Sequence, residues 1–162
     1  MYTDDYINEL IKCEKQVVDP QPKEYKEDRG HIKKAFYLKS LDGKFSFNAF
    51  IRCNLQFREK FTVGLDFNPR EEKGTICLLR CNGAHGENRM LPYHSYYHIH
   101  KASAESINNG LKPESNIFRT NEYASLEEAI QFFLREVNIS ITDRREYFPP
   151  PDTQATLNFD NG

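Results

Sequence analysis

Phe45, Phe47, Ala49, Ile51 and Cys53 occupy every second position of one stretch, with Ser46, Asn48, Phe50 and Arg52 between them. A period of two fits a β-strand with one buried face and does not fit a helix, whose faces repeat at three and four residues. Phe36 and Leu38 precede this run at the same spacing, and Leu41-Asp-Gly-Lys44 between them supplies an Asp-Gly turn of the kind that closes a hairpin. Phe61, Val63, Leu65 and Phe67 form a third alternating run, ended by Asn68-Pro69. Thr75 to Cys81 is apolar on both faces, which suits the middle of a sheet. His94 to His100 fits a fifth strand, because Tyr97 and Ile99 alternate with His98 and His100. Five strands with short connections predict an antiparallel meander.

Helical signals flank this sheet. Thr3 is a cap for apolar positions Tyr6, Ile7, Leu10, Ile11, Cys13 and Val17 at helical spacing, with Asp4 and Asp5 in the first turn and an expected end near Asp19-Pro20. Residues 21–30 are polar and mixed in charge, as in a surface connector. Ala102 to Asn109 fits a short helix stopped by Gly110, and Ser125-Leu-Glu-Glu128 is a capping box before Leu126, Ala129, Ile130, Phe133, Leu134 and Val137. The expected fold is α+β: an antiparallel meander of about five strands, with an N-terminal helix and a C-terminal helix packed on the sheet. Residues 1–142 form that domain in this reading, and residues 143–162, which pass through Pro149-Pro150-Pro151, form a flexible tail.

The chain has 162 residues, 38% of them hydrophobic, enough for one core and too few for two large ones. Its formal net charge of -2 excludes the global basic field of a dedicated duplex DNA binder, so any contact with nucleic acid has to be local. No apolar run approaches the roughly 20 residues that cross a bilayer, and the start lacks the basic then apolar order of a signal peptide. The expectation is a cytoplasmic protein with no membrane partner. Cys13, Cys53, Cys77 and Cys81 show no secreted disulfide framework and are expected as reduced thiols packed as small hydrophobes.

Four of the five histidines fall between Arg80 and His100, together with two arginines and three tyrosines. Histidine exchanges protons near neutral pH and, when neutral, ligates metals. Strand alternation places Arg80 and Asn82 on one face and Cys77, Leu79 and Cys81 on the other, and puts His94, Tyr96, His98 and His100 together on an exposed face of the next strand. If those strands are neighbours the polar sets converge under the Gly83-Ala-His85-Gly86 turn, whose glycines permit close approach of a ligand. Arg80, His85, His98 and His100 are then catalytic candidates: arginine forks onto phosphate oxygens and paired histidines serve as general base and acid. Asn82, Arg89 and Tyr96 are candidates for holding substrate, a tyrosine ring offering a flat surface to a base. This set suits metal-independent cleavage of RNA by its own 2'-hydroxyl. Two alternatives stay open: the face is polar surface used only for binding, or His85, His98 and His100, with His94 as a substitute, hold zinc.

Phe50-Ile-Arg-Cys-Asn54, Leu78-Leu-Arg-Cys-Asn-Gly-Ala-His-Gly86, Tyr97-His-Ile-His-Lys101 and Glu122-Tyr-Ala-Ser-Leu-Glu-Glu-Ala-Ile130 resemble a family of small bacterial and phage proteins without assigned function. The order Arg-x-Asn-Gly-x-His-Gly followed by His-x-His also resembles, more distantly, the TumE type of toxin of bacterial toxin-antitoxin pairs. That resemblance implies action on RNA through Arg80, Asn82, His85, His98 and His100, and a cognate antitoxin as partner. The other implied role is that of a non-catalytic phage or mobile-element accessory or inhibitor protein that binds a protein or nucleic acid. In the tail, Gln154, Leu157 and Phe159 resemble the short peptide with which bacterial proteins dock on the replication sliding clamp.

Overall fold

The computed structural model describes residues 1–18, 24–84 and 96–150. The Thr3 hydroxyl accepts from the Tyr6 N–H at 3.1 Å and opens helix α1 (Asp4–Lys12), with Asp4 and Asp5 at its positive end. The helix stops well short of Asp19. Lys15–Val17 is instead a strand, β1, with Lys15 and Val17 buried and Gln16 exposed. Three residues are too few to display alternation, and Val17 also happens to fit the helical spacing.

The five expected strands all form, as β3 (His31–Ser40), β4 (Ser46–Asn54), β5 (Phe61–Asn68), β6 (Ile76–Asn82) and β7 (His98–Lys101). They pair antiparallel in chain order, and the β3–β4 hairpin turns at Gly43, whose φ of 73° is the left-handed conformation that the Asp-Gly signal predicts. Three further strands extend the sheet to eight: β1 and β2 (Lys26–Asp28) both pair with β3, and β8 (Asn116–Arg119) pairs with β7 as the outer edge. β2 lies within the stretch expected as a connector. Its residues are all exposed, so it carries no hydrophobic signal.

After β7, Ser103 caps α2 (Ala104–Asn108). The capping box opens α3 (Leu126–Glu136): Ser125 Oγ accepts from the Glu128 N–H at 3.1 Å, and the Glu128 carboxylate accepts from the Ala124 N–H at 2.9 Å. A fourth helix, α4 (Ile141–Tyr147), occupies what was expected as the start of a flexible tail. Ser140 caps it, Asp143 accepts from the Val17 N–H at 2.7 Å, and Phe148 is buried against Phe36 with ring centres 4.8 Å apart. The packed part of the chain thus extends past residue 143, and residues 151–162, with the clamp-like Gln154, Leu157 and Phe159, lie outside the described residues.

One face of the sheet carries the core. Phe36, Leu38, Phe47, Ala49, Ile51, Val63, Leu65, Leu79 and Cys81 point to it and bury Ile7, Leu10 and Ile11 of α1 and Ala129, Phe133 and Leu134 of α3. The four cysteines are free thiols, Cys53 and Cys81 buried, Cys13 and Cys77 half-buried. No helix among the described residues is long and apolar enough to cross a membrane.

Candidate functional site

β6 and β7 are neighbours, and their register sets Arg80 opposite His100 and Asn82 opposite His98. All four side chains stand on the face away from α1 and α3, so the convergence expected from alternation is present. The expected exposure is not. His98 is 0% and His100 3% exposed, and Asn82 is 2% exposed. The chain that returns to the sheet before β8 supplies part of the cover: Glu114, itself 6% exposed, places a carboxylate oxygen 3.0 Å from Arg80 Nη2 and its carbonyl 3.4 Å from His100 Nδ1. Lys112 reaches the same oxygen at 3.6 Å.

The hydrogen bonds of His98 define its state. Its Nδ1 is 2.7 Å from the Tyr96 carbonyl, which can only accept, so Nδ1 carries the proton. Its Nε2, 3.3 Å from the Asn82 amide nitrogen, is left to accept. Both ring nitrogens are engaged. His100 Nδ1 lies 3.4 Å from Arg80 Nη2 and 3.4 Å from the Glu114 carbonyl, contacts that need a lone pair and a proton respectively. One ring serves one of them at a time. Burial first, then the Arg80 charge and an electrostatic contribution from His98, push the His100 pKa down to about 3, so His100 is neutral at physiological pH.

This geometry changes what the cluster offers chemically. Arg80 commits Nη2 to Glu114, and its Nε and the Asn82 Oδ1 are buried with no hydrogen-bond partner. His98 has no lone pair left for a metal unless it gives up Asn82, and among the described residues no three His, Cys, Asp or Glu side chains are placed to hold an ion. His85 and Arg89, like His94, lie outside the described residues. Tyr96 is 46% exposed and turns its ring to Arg119, whose guanidinium carbon sits 4.0 Å from the ring centre. Its contribution to the cluster is the carbonyl that fixes His98.

Gly83 has a role other than ligand approach. A Cβ there would lie 1.9 Å from the Glu59 carbonyl oxygen, so the position is closed to any side chain by the β4–β5 connection. Two contributors escape the sequence pattern. Glu114 sits in a Lys-Pro-Glu turn with no periodicity, and Tyr123, 1% exposed, directs its hydroxyl at the Asn82 and His98 carbonyls, 2.9 and 3.0 Å away. Burial raises the Tyr123 pKa, which keeps that hydroxyl protonated as a donor across β6 and β7.

The same face is open on the β3–β5 side. Lys33 stands opposite Arg52, and Tyr37 and Lys39 follow Lys33 at alternate positions of β3. Arg52 and Lys39 are exposed, and Tyr37 is 62% exposed. Phe50 lies across Gly64, where a Cβ would fall 2.2 Å from its ring, so the glycine gives the ring a flat seat on β5. Two strand carboxylates share this face. Asp28 is paired with Lys33 at 2.7 Å, and Asp66 is half-buried, its pKa raised chiefly by burial. Comparison of the chain with family models, with curated proteins and with solved structures gives no match.

Proposed function

We propose that this protein binds single-stranded RNA on the face of the sheet opposite its helices. The observation that carries this reading is the segregation of Lys33, Lys39 and Arg52 with Tyr37 and Phe50 on the open half of that face, in a chain whose net charge is -2. Lys39 and Arg52 form no ion pair with a carboxylate among the described residues. Cations that track phosphates and aromatic faces that stack bases are what a flexible single strand needs, and an open β-sheet presents both in register. The likeness of the Arg80 to His100 stretch to toxins that act on RNA supports RNA as the class.

In this reading Arg80, Asn82, His98 and His100 build the platform rather than transfer protons. General acid-base catalysis requires one ring ready to accept a proton and another ready to donate. His100 is held neutral and His98 has both nitrogens engaged, so the non-catalytic role fits the geometry better than cleavage.

The test is fluorescence anisotropy of a labelled mixed-sequence single strand. Lys33→Glu combined with Arg52→Glu is expected to weaken binding by at least about tenfold and to flatten its salt dependence. Tyr37→Ala is expected to weaken it about fivefold or more, the scale of one lost stacking contact. Lys73→Glu, in the β5–β6 turn, serves as the off-face control. Absence of binding, or equal losses from control and face variants, refutes the proposal, and cleavage of the strand would restore the catalytic alternative.

A further inference from the structure

β8 is the outer strand of the sheet, and among the described residues nothing pairs on its far side. One hydrogen bond fixes which of its backbone groups face outward. The Thr120 N–H donates to the Tyr97 carbonyl at 3.0 Å, and in antiparallel pairs bonded and non-bonded positions alternate. Asn116, Phe118 and Thr120 therefore turn their N–H and C=O toward β7, whereas Ile117 and Arg119 turn theirs outward. Phe118 is paired with Ile99, a core residue, and so stands on the helix side. There it is 45% exposed beside a cleft of about 540 Å3 lined by Ile11, Leu79, Ile99 and Phe132.

We propose that β8 pairs with β8 of a second copy of this chain, antiparallel about a two-fold axis at Phe118, so that two sheets become one. The strand is its own complement in this register. Ile117 of each copy exchanges hydrogen bonds with Arg119 of the other, and the two Phe118 side chains become directly opposed at a non-bonded position, where side chains come closest. Neighbouring registers fail for stated reasons. An axis at Arg119 would oppose two guanidinium groups. An axis at Ile117 would need the Ser115 N–H, which already donates to the Pro113 carbonyl at 3.0 Å.

The inference does not depend on what the open face of the sheet binds.

Sedimentation velocity of the full chain across a concentration series is expected to show a reversible monomer–dimer equilibrium. Ile117→Pro removes an N–H that faces outward and leaves the β7–β8 ladder whole, so it is expected to fold with an unchanged far-UV spectrum and to weaken the dimer at least about tenfold. Phe118→Cys is expected to form an interchain disulfide under mild oxidation, because non-bonded pairs bring Cα atoms to about 4.5 Å, within disulfide reach. Wild type and Ile117→Cys are expected to form much less, with peptide mapping locating each bond. A wild type that stays monomeric up to about 200 µM overturns the proposal. So does an Ile117→Pro protein that dimerises as well as wild type, or cross-linking at 117 that outpaces cross-linking at 118.

Discussion

Lys15→Met tests how the two ends of the fold are joined. Lys15 is 0% exposed, and its ammonium donates to the carbonyls of Ile11, Cys13 and Val137 at 2.7, 2.8 and 2.9 Å, with the Phe47 ring centre 4.7 Å away. Those carbonyls are orphans at the C-terminal ends of α1 and α3, where a cation is favoured and a stranded acceptor is not. The Lys15 backbone binds the same region, its N–H donating to Asn138 at 2.9 Å and its carbonyl accepting from Ser140 at 2.8 Å. Methionine keeps most of the stem and removes the donors. Three stranded carbonyls at about 1–3 kcal/mol each suggest a gross loss of about 6 kcal/mol. Relief of the ammonium's desolvation opposes this: burial lowers its pKa from 10.5 to about 8, equivalent to roughly 3 kcal/mol. The expected net loss is about 3 kcal/mol, read from urea unfolding at pH 7. The pH dependence has a fixed sign. Between pH 8 and 10.5 the unfolded lysine holds its proton while the folded one has lost it, so the unfolded state binds more protons and wild-type stability rises. Lys15→Met lacks that rise, and its deficit against wild type should therefore widen with pH over that interval. A variant within about 1 kcal/mol of wild type at pH 7 would refute the argument, as would a deficit that shrinks over that pH interval.

His98→Ala should cost about 2–4 kcal/mol, because it opens a cavity and strands the Asn82 amide and the Tyr96 carbonyl, whereas loss of an exposed strand histidine would cost about 0.5 kcal/mol or less; thermal or urea unfolding decides between them. The imidazole NMR signal of His100 should stay flat from pH 8 to 5, and its contribution to stability should fall as pH drops from 6.5 toward 3, since the unfolded ring takes up a proton the folded ring refuses. Titration of His100 near 6.5 would show that the ring is not buried as described. Glu114→Gln leaves the Arg80 charge without its partner and should lose about 2–3 kcal/mol in urea unfolding, with part of the loss recovered in Arg80→Met/Glu114→Gln. Gly83→Ala should lower the melting temperature markedly, because its Cβ meets a backbone carbonyl rather than a movable side chain.

The parts of the fold that could be read from sequence are those whose burial repeats within one element. β3, β4 and β5 were legible because each alternates over several residues, β6 because it is apolar on both faces, and α3 because its cap and its apolar stripe agree. β1, β2 and β8 have three or four residues each and lie at the sheet edges, where exposure erases the pattern that a strand otherwise shows. Their existence depends on a partner: β2 pairs only because β3 is long enough to run past β1. Helix α4 is likewise invisible, having no buried residue of its own, and is held by Asp143 on Val17 and by Phe148 on Phe36.

At the candidate site alternation fixed which side chains share a face, and it could not fix their burial. Glu114, fourteen residues after His100, returns to pair with Arg80 and to set its carbonyl against His100. That is a contact between segments, and neither period two nor residue type announces it. Once covered, an unpaired arginine would be untenable, and a protonated histidine beside it would add like charge in a medium that screens poorly. Glu114 answers the first problem and the neutral His100 ring answers the second. Among the described residues, Lys39 and Arg52 are then unpaired cations of this face, on its open half. A lysine at either histidine position would bring a charge that burial opposes, and leucine would strand Asn82 or Arg80. An imidazole meets the cross-strand side chain at each position, His98 the Asn82 amide and His100 the Arg80 guanidinium, and this accounts for the histidines without assigning them a proton to transfer.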